Sequence, residues 1–164
     1  MVSETPQILA IHHIVHEYAN FVSSAEMTTH GTDIGGNLFK APINTHVSHA
    51  FYLNCRKLAD FFQNKKLGND DVVAMHFVVG YSARLPVADE WRIPINKQLA
   101  HITYSRDVDS VEITRSAQEA LYSELREAWR DFRRRLPEVY SLAFTKEVNE
   151  KKHPESEFRN YDLD

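Results

Sequence analysis

Residues 70–86 read DDVVAMHFVVGYSARLP, and their reading decides whether the chain holds a sheet. Val72, Val73, Phe77, Val78, Val79 and Tyr81 are β-branched or aromatic and favour strands. Asp70 or Asp71 can instead cap a short helix. A strand must pair to satisfy its backbone amides and carbonyls, and no other stretch reads as its partner. The segment is therefore expected to be helical, and the chain all-α.

Helical periodicity dominates on both sides of that stretch. Upstream, Ile8, Ile11, Val15, Tyr18 and Val22 recur at three- and four-residue steps, one buried face of a first helix with Pro6 in its opening turn. Residues 28–42, TTHGTDIGGNLFKAP, place three glycines within six positions and predict a loop. A second helix is expected from Pro42 or Asn44 to the KKLGND stretch. Downstream, Trp91, Ile95, Leu99 and Ile102 form a stripe over residues 87–106, with Pro94 starting or kinking that helix. Thr114 or Ser116 then caps a long segment in which Ala117, Leu121, Leu125, Ala128, Phe132 and Leu136 share a face, ended by Pro137. A short helix over PEVYSLAFTKEVNE closes the pattern. Amphipathic helices must hide their stripes against one another, so a single-domain bundle of four or five helices is expected over residues 1–150. Residues 151–164 read as a polar, flexible tail.

Composition narrows the function classes. A chain of 164 residues can bury a core without metals or disulfides, and 43% hydrophobic with 26% charged residues is ordinary for a globular domain. The net charge of −4 gives no global attraction to nucleic acid or anionic membrane. Cys55 is the only cysteine, so no internal disulfide forms and a reducing compartment is expected. No leader is read ahead of Ser3–Pro6, and no apolar run approaches the roughly 20 residues that span a bilayer. A cytoplasmic location with no membrane partner follows as the expectation.

The second helix carries the candidate site. On HVSHAFYLNCRKLADFF, residues 46–62, Val47, Phe51, Leu58 and Phe62 project to one side, with Ala50 and Phe61 at its edge. His46, His49, Arg56 and Asp60 share an adjacent arc of roughly 80°. Groups on such a boundary are partly desolvated yet accessible, the setting in which proton affinities shift. In NKQLAH, Lys97 and His101 lie one turn apart beside the Ile95–Leu99–Ile102 stripe, so His101 can meet His46, His49 or Asp60 if the two helices pack. The five candidates are therefore His46, His49, Arg56, Asp60 and His101, forming either a catalytic site or a hydrogen-bonded seam between helices.

Several chemistries use these residue types. His46 and His49 can project toward one ion, with His101, His76 or Asp60 completing a shell, and His12 and His16 are similarly spaced; neither pattern names a metal or cofactor. Histidine with arginine or lysine also suits acid–base cleavage of RNA. Glu119, Glu124 and Glu127 lie early and Arg126, Arg130, Arg133, Arg134 and Arg135 late along the long helix, an order that complements the helix dipole. Arg126, Arg130, Arg133 and Arg134 could grip nucleic acid, although Asp131 is placed to pair with Arg134 and Arg135. Cys55 sits on the core side and reads as inert packing.

The helical layout and polar content resemble the HEPN superfamily of prokaryotic helical proteins, which includes toxin-type ribonucleases. That resemblance implies nucleotide or RNA binding, or hydrolysis, by a His/Arg/Asp site. The family's mark is an arginine followed after four to six residues by a histidine. Here Arg92 precedes His101 by eight intervening residues, and Asn96 has the spacing without the arginine. RKLADFF, NDDVVA and INKQLAHITYSR also resemble stretches of bacterial all-helical proteins across residues 46–106, which implies a helical fold and no particular activity.

Two expectations from different classes follow. One is an interaction or structural protein that self-associates as a homo-oligomer through an exposed apolar stripe, its polar residues fixing helix register. The other is a HEPN-like nucleotide- or RNA-binding protein or hydrolase, whose five side chains converge on a water-accessible hollow.

Overall fold

The computed structural model describes residues 5–30, 37–66, 68–99, 114–153 and 162–164, with backbone alone at 29–30, 37–45 and 97–99. Five helices follow in order: α1 (Pro6–His30), α2 (Asn37–Phe62), α3 (Pro86–Leu99), α4 (Arg115–Arg135) and α5 (Glu138–Lys151). Among the described residues no strand forms, so the chain is an all-α bundle.

Side-chain contacts fix the directions of the helices. Glu17 meets Lys57 while Phe21 meets Phe51, so α1 and α2 run antiparallel. Asp60 meets Arg92 while Gln63 meets Asp89, so α2 and α3 are antiparallel too. His12 reaches Glu147 and His16 reaches Lys151, which sets α5 parallel to α1. The alternating order is that of an up-and-down bundle.

The stripes read from the sequence line the interior. Ile11, Val15, Tyr18 and Val22 of α1 are buried, as are Ala117, Leu121, Leu125, Ala128 and Phe132 of α4. Thr114 is the residue that caps α4, its hydroxyl accepting from the Ala117 amide at 3.3 Å. On α2, Phe51, Leu58, Phe61 and Phe62 face inward, whereas Ala50 is exposed and Val47 half-buried. Phe132 lies at the centre: its ring centroid is 5.3 Å from Phe61, 5.4 Å from Tyr81, 5.7 Å from Phe144, 6.0 Å from Phe62 and 6.1 Å from Phe77. One turn earlier Trp129 stacks on Tyr18 of α1 at 3.9 Å. Edge-to-face and offset stacking at these separations adds to the stabilisation from area burial.

Three expectations are corrected. First, the glycine stretch 28–42 is not a loop throughout: α1 continues to His30, α2 begins at Asn37 with Pro42 inside it, and residues 31–36 lie outside the described residues. Thr28 stays helical by donating its hydroxyl proton to the Ala25 carbonyl at 2.7 Å. Second, α2 ends at Phe62, before KKLGND, because Asn64 adopts a left-handed backbone with φ 58°. Asparagine tolerates that conformation, and its side chain then donates to the Tyr81 carbonyl at 2.6 Å and accepts from the Met75 amide at 2.8 Å. Third, the helix expected over 70–86 contracts to a single 3-10 turn, Ala74–His76.

The physical reason for that contraction is that the segment crosses the bundle instead of lying along it. Val73, Phe77, Tyr81 and Leu85 all turn inward, at four-residue steps, while Asn64 and the Phe62 carbonyl, which accepts from Ala83, hold its backbone. Gly80, at φ 74°, makes the bend that a longer helix would forbid.

The expected tail also has structure at its ends. Lys151 closes α5, and residues 162–164 dock on α4, with Leu163 fully buried among the core residues. Residues 154–161 lie outside the described residues. Replacing the central ring should be the most damaging change in the core: Phe132→Ala is expected to cost about 3–5 kcal/mol of unfolding free energy, measured by urea denaturation.

Candidate functional site

Of the five candidate residues, the structure brings Arg56 and Asp60 together. They lie one turn apart on α2, with Arg56 Nε 3.8 Å from Asp60 Oδ2. The stronger partner of Asp60 comes from α3: Arg92 Nη1 donates to Asp60 Oδ1, and Arg92 Nη2 donates to Gln63 Oε1 at 2.8 Å. Gln63 Nε2 in turn donates to Asp89 Oδ2 at 3.0 Å, and Lys65 Nζ reaches Asp89 Oδ1 at 3.1 Å. One guanidinium thus bridges a carboxylate in the last turn of α2 and an amide just past its end, a geometry that suits arginine and not lysine. Side-chain exposures of 22% for Arg92 and 17% for Asp60 place the pair at the boundary, partly desolvated but not sealed.

His46 and His49 do not join this group; both are exposed on the first half of α2. His101 lies outside the described residues, as does the side chain of Lys97. The residue that reaches Asp60 from α3 is Arg92. The sequence carried a signal for it: Asp89 and Arg92 are three apart, and so are Asp60 and Gln63, which is the pattern of two antiparallel helices exchanging polar groups.

The start of α3 depends on a second group that sequence reading treated only as part of a charged face. Pro86 opens the helix without an amide proton, and the next two amides have no helical acceptor. Glu124 of α4 supplies both: Oε1 accepts from the Val87 amide at 3.0 Å and Oε2 from the Ala88 amide at 2.8 Å. Its negative charge also suits the positive end of the helix dipole.

Several other described histidines and arginines are engaged. His12 Nδ1 lies 3.0 Å from Glu147 Oε2, and Lys151 Nζ lies 3.4 Å from His16 Nδ1, so both contact α5. Among the described residues no group of three or more His, Cys, Asp or Glu can hold a metal ion. Arg134 and Arg135 pair with Asp131 at 3.3 and 3.0 Å, Arg130 with Glu127 at 3.2 Å, and Arg126 with Asp162. Cys55 is buried, and desolvation raises its thiol well above its ordinary value, so it is packing and not a nucleophile. Burial also pushes Tyr81 up to about 12, with Asp131 adding to the shift and Arg135 opposing it. The Tyr81 hydroxyl remains a neutral donor to the Ala128 carbonyl at 3.0 Å.

Concavities lie elsewhere. A hollow of about 310 Å³ opens between α1, α2 and α4, lined among others by Phe51, Arg115, Gln118, Glu119, Tyr122 and Arg126. Its described lining contains none of His46, His49, Arg56 and Asp60. Arg56 borders a narrow crevice of about 10 Å³ with Cys55, Ala88, Arg92 and Ile95. No described helix is long and apolar enough to cross a membrane. Compared with known proteins, the chain matches no family model, no curated protein and no solved structure.

The seam makes two testable claims. Asp60→Ala leaves the Arg92 guanidinium without its carboxylate and is expected to lower stability by about 1–3 kcal/mol, whereas His49→Ala on the exposed face changes it by less than about 0.5 kcal/mol; chemical denaturation distinguishes them. The pH dependence follows from Asp89. Partial desolvation works against ionisation there, but hydrogen bonds from Lys65 and Gln63 and the nearby charges of Lys65 and Arg92 hold its carboxyl below 3.8. A depressed native value means the stabilisation is fully present above 3.8 and is lost as pH falls through the native value. Asp89→Asn should flatten the acid limb of the stability–pH curve in that window.

Proposed function

We propose that the chain is an interaction protein that self-associates, with the Arg92–Asp60–Gln63 seam holding α2 and α3 in register. The observation that carries this reading is on α5. Phe144 and Val148 are buried in the bundle, yet Val139 and Leu142, one turn apart on the opposite side, are 54% and 66% exposed. A helix apolar on both sides has one face more than its own bundle uses.

The flanking charges favour a second copy as the occupant. Glu138 and Lys146 stand four residues before and four after Leu142. If two α5 helices lie antiparallel about a two-fold axis at Leu142, each Glu138 faces the Lys146 of the other copy, and Val139 faces Thr145. Such a contact is isologous, the commonest closed symmetry among homo-oligomers. Lys146 has only a long 3.8 Å approach to Glu150, both largely exposed, so little is lost on exchanging that partner. One helix face falls below about 1,200 Å² of total buried area, the class of weak, reversible association.

The closed state of the polar seam supports the same reading. Asp60 is already taken by two arginines, and the described lining of the hollows around α1 and α4 lacks His46, His49, Arg56 and Asp60, so the seam serves packing better than turnover.

Sedimentation velocity tests the proposal. The wild-type chain is expected to show a monomer–dimer equilibrium in the micromolar range. Leu142→Glu should abolish it while leaving the helical circular dichroism intact. Glu138→Lys should weaken it, and the double variant Glu138→Lys with Lys146→Glu should restore it. A wild-type chain that stays monomeric at several hundred micromolar overturns the reading.

A further inference from the structure

Residues 162–164, Asp-Leu-Asp, occupy a seat formed by side chains of α4, by Lys152 just past α5 and by the core beneath them. Leu163 is 0% exposed, packed in the same buried cluster as Trp129. Its carbonyl accepts from Trp129 Nε1 at 3.3 Å. Asp162 is paired with Arg126, and its other carboxylate oxygen accepts from the Asp164 amide at 3.2 Å. Asp164 accepts from Lys152 Nζ at 2.6 Å through its side chain and from Arg130 Nε at 3.4 Å through its carbonyl.

Three features of this arrangement mark recognition of a short segment. The three residues belong to no helix or strand, so their place is set by the seat. Main-chain carbonyls are read by an indole and a guanidinium, donors independent of the occupant's other side chains. Side-chain specificity comes from an apolar socket between cations, which selects leucine flanked by acids. Arg133, whose guanidinium lies 6.0 Å from the Trp129 ring, adds a further positive charge near Asp164. Beyond Asp164 the seat widens into an open hollow of about 500 Å³ lined also by Glu127, Arg130, Arg133 and Arg134, with room for a longer acidic ligand.

We infer that this groove is a binding site for short linear peptides of the pattern acidic–leucine–acidic, occupied here in cis by residues 162–164. The ligand class follows from the seat: a buried leucine anchor, a backbone carbonyl for Trp129, and a carboxylate on each side for Arg126 and Lys152. The occupant in cis competes at millimolar effective concentration, so an external peptide binds well only when the seat is vacated. This inference does not depend on the α5 contact proposed above, which lies on the outward side of that helix.

The test uses the full 164-residue chain carrying Leu163→Asp to vacate the seat, with Trp91→Phe so that Trp129 alone reports. The probe is an acetylated synthetic peptide of sequence EFRNYDLD, matching residues 157–164. Expected is saturable one-to-one binding by indole emission and calorimetry, at least about 10-fold tighter than to the chain with Leu163 intact. Binding should weaken with added salt and fall at least about 10-fold for the peptide with both aspartates replaced by lysine. No saturable binding, or equal binding of the lysine peptide, overturns the inference and makes the segment a structural staple only. If Leu163→Asp loses its helical circular dichroism, the same peptides are titrated into Asp162→Lys. There the pairing is also tested by Arg126→Glu with Asp162→Lys, which must recover the Trp129 emission lost in each single variant; no recovery overturns the inference.

Discussion

The bundle depends on α4 presenting two large rings, Trp129 and Phe132, to α1, α2, α5 and the crossing segment together. Trp129 takes Tyr18 of α1 and Phe144 of α5, while Phe132 takes Phe61 and Phe62 of α2, Phe77 and Tyr81 of the crossing segment, and Phe144 again. Interiors pack at crystal-like density, so rings in mutual contact fix each other's rotamers and with them the approach of their helices. The crossing segment 68–85 acquires its shape from this constraint: it delivers Phe77 and Tyr81 to Phe132 and has no regular structure beyond one 3-10 turn.

Polar groups then settle what the aromatic cluster leaves open. Glu124 caps α3 from α4, Asn64 ties the end of α2 to the crossing segment, and Arg92 bridges Asp60 and Gln63 at the end of α2. Each satisfies backbone or side-chain groups that burial would otherwise strand, and an unsatisfied buried group costs more than a satisfied one contributes. Such links stabilise modestly but discriminate strongly between registers, because a helix shifted by one residue turns the arginine away from both partners. The satisfaction is incomplete: among the described residues the Tyr18 hydroxyl, Arg92 Nε, Asn96 Oδ1 and Arg126 Nε are buried without a hydrogen-bond partner, and desolvation moves the proton affinity of Tyr18 far above the ordinary value.

The candidate site was partly legible. Spacing alone places Arg56 and Asp60 on one boundary of α2, and leaves the packing of the helix that carries Trp91 against that boundary as a condition. It does not single out Arg92, because the choice between it and residues farther along α3 depends on the depth at which two antiparallel helices overlap, which no periodicity encodes. His46 and His49 share the arc with Asp60, but the arc describes angle and not height; three turns separate His49 from Asp60, enough for one to be exposed while the other is paired. Leu163 was read as part of a polar stretch because one leucine among aspartates has no period, and only a socket on another element can bury it.

The sequence by itself determined the helices of α1, α4 and α5 and the inward faces of α1 and α4, since local hydrogen bonding and a 3.6-residue period are properties of consecutive residues. It also determined the ending at Pro137 and narrowed the cap of α4 to Thr114 or Ser116, signals that act within a turn. Only the tertiary structure decided that residues 70–86 are neither strand nor long helix, that Glu124 caps α3 and that residues 162–164 are seated on α4. In those cases the stabilising partner lies more than ten residues away along the chain, so the segment's own preferences yield to contacts it cannot specify alone.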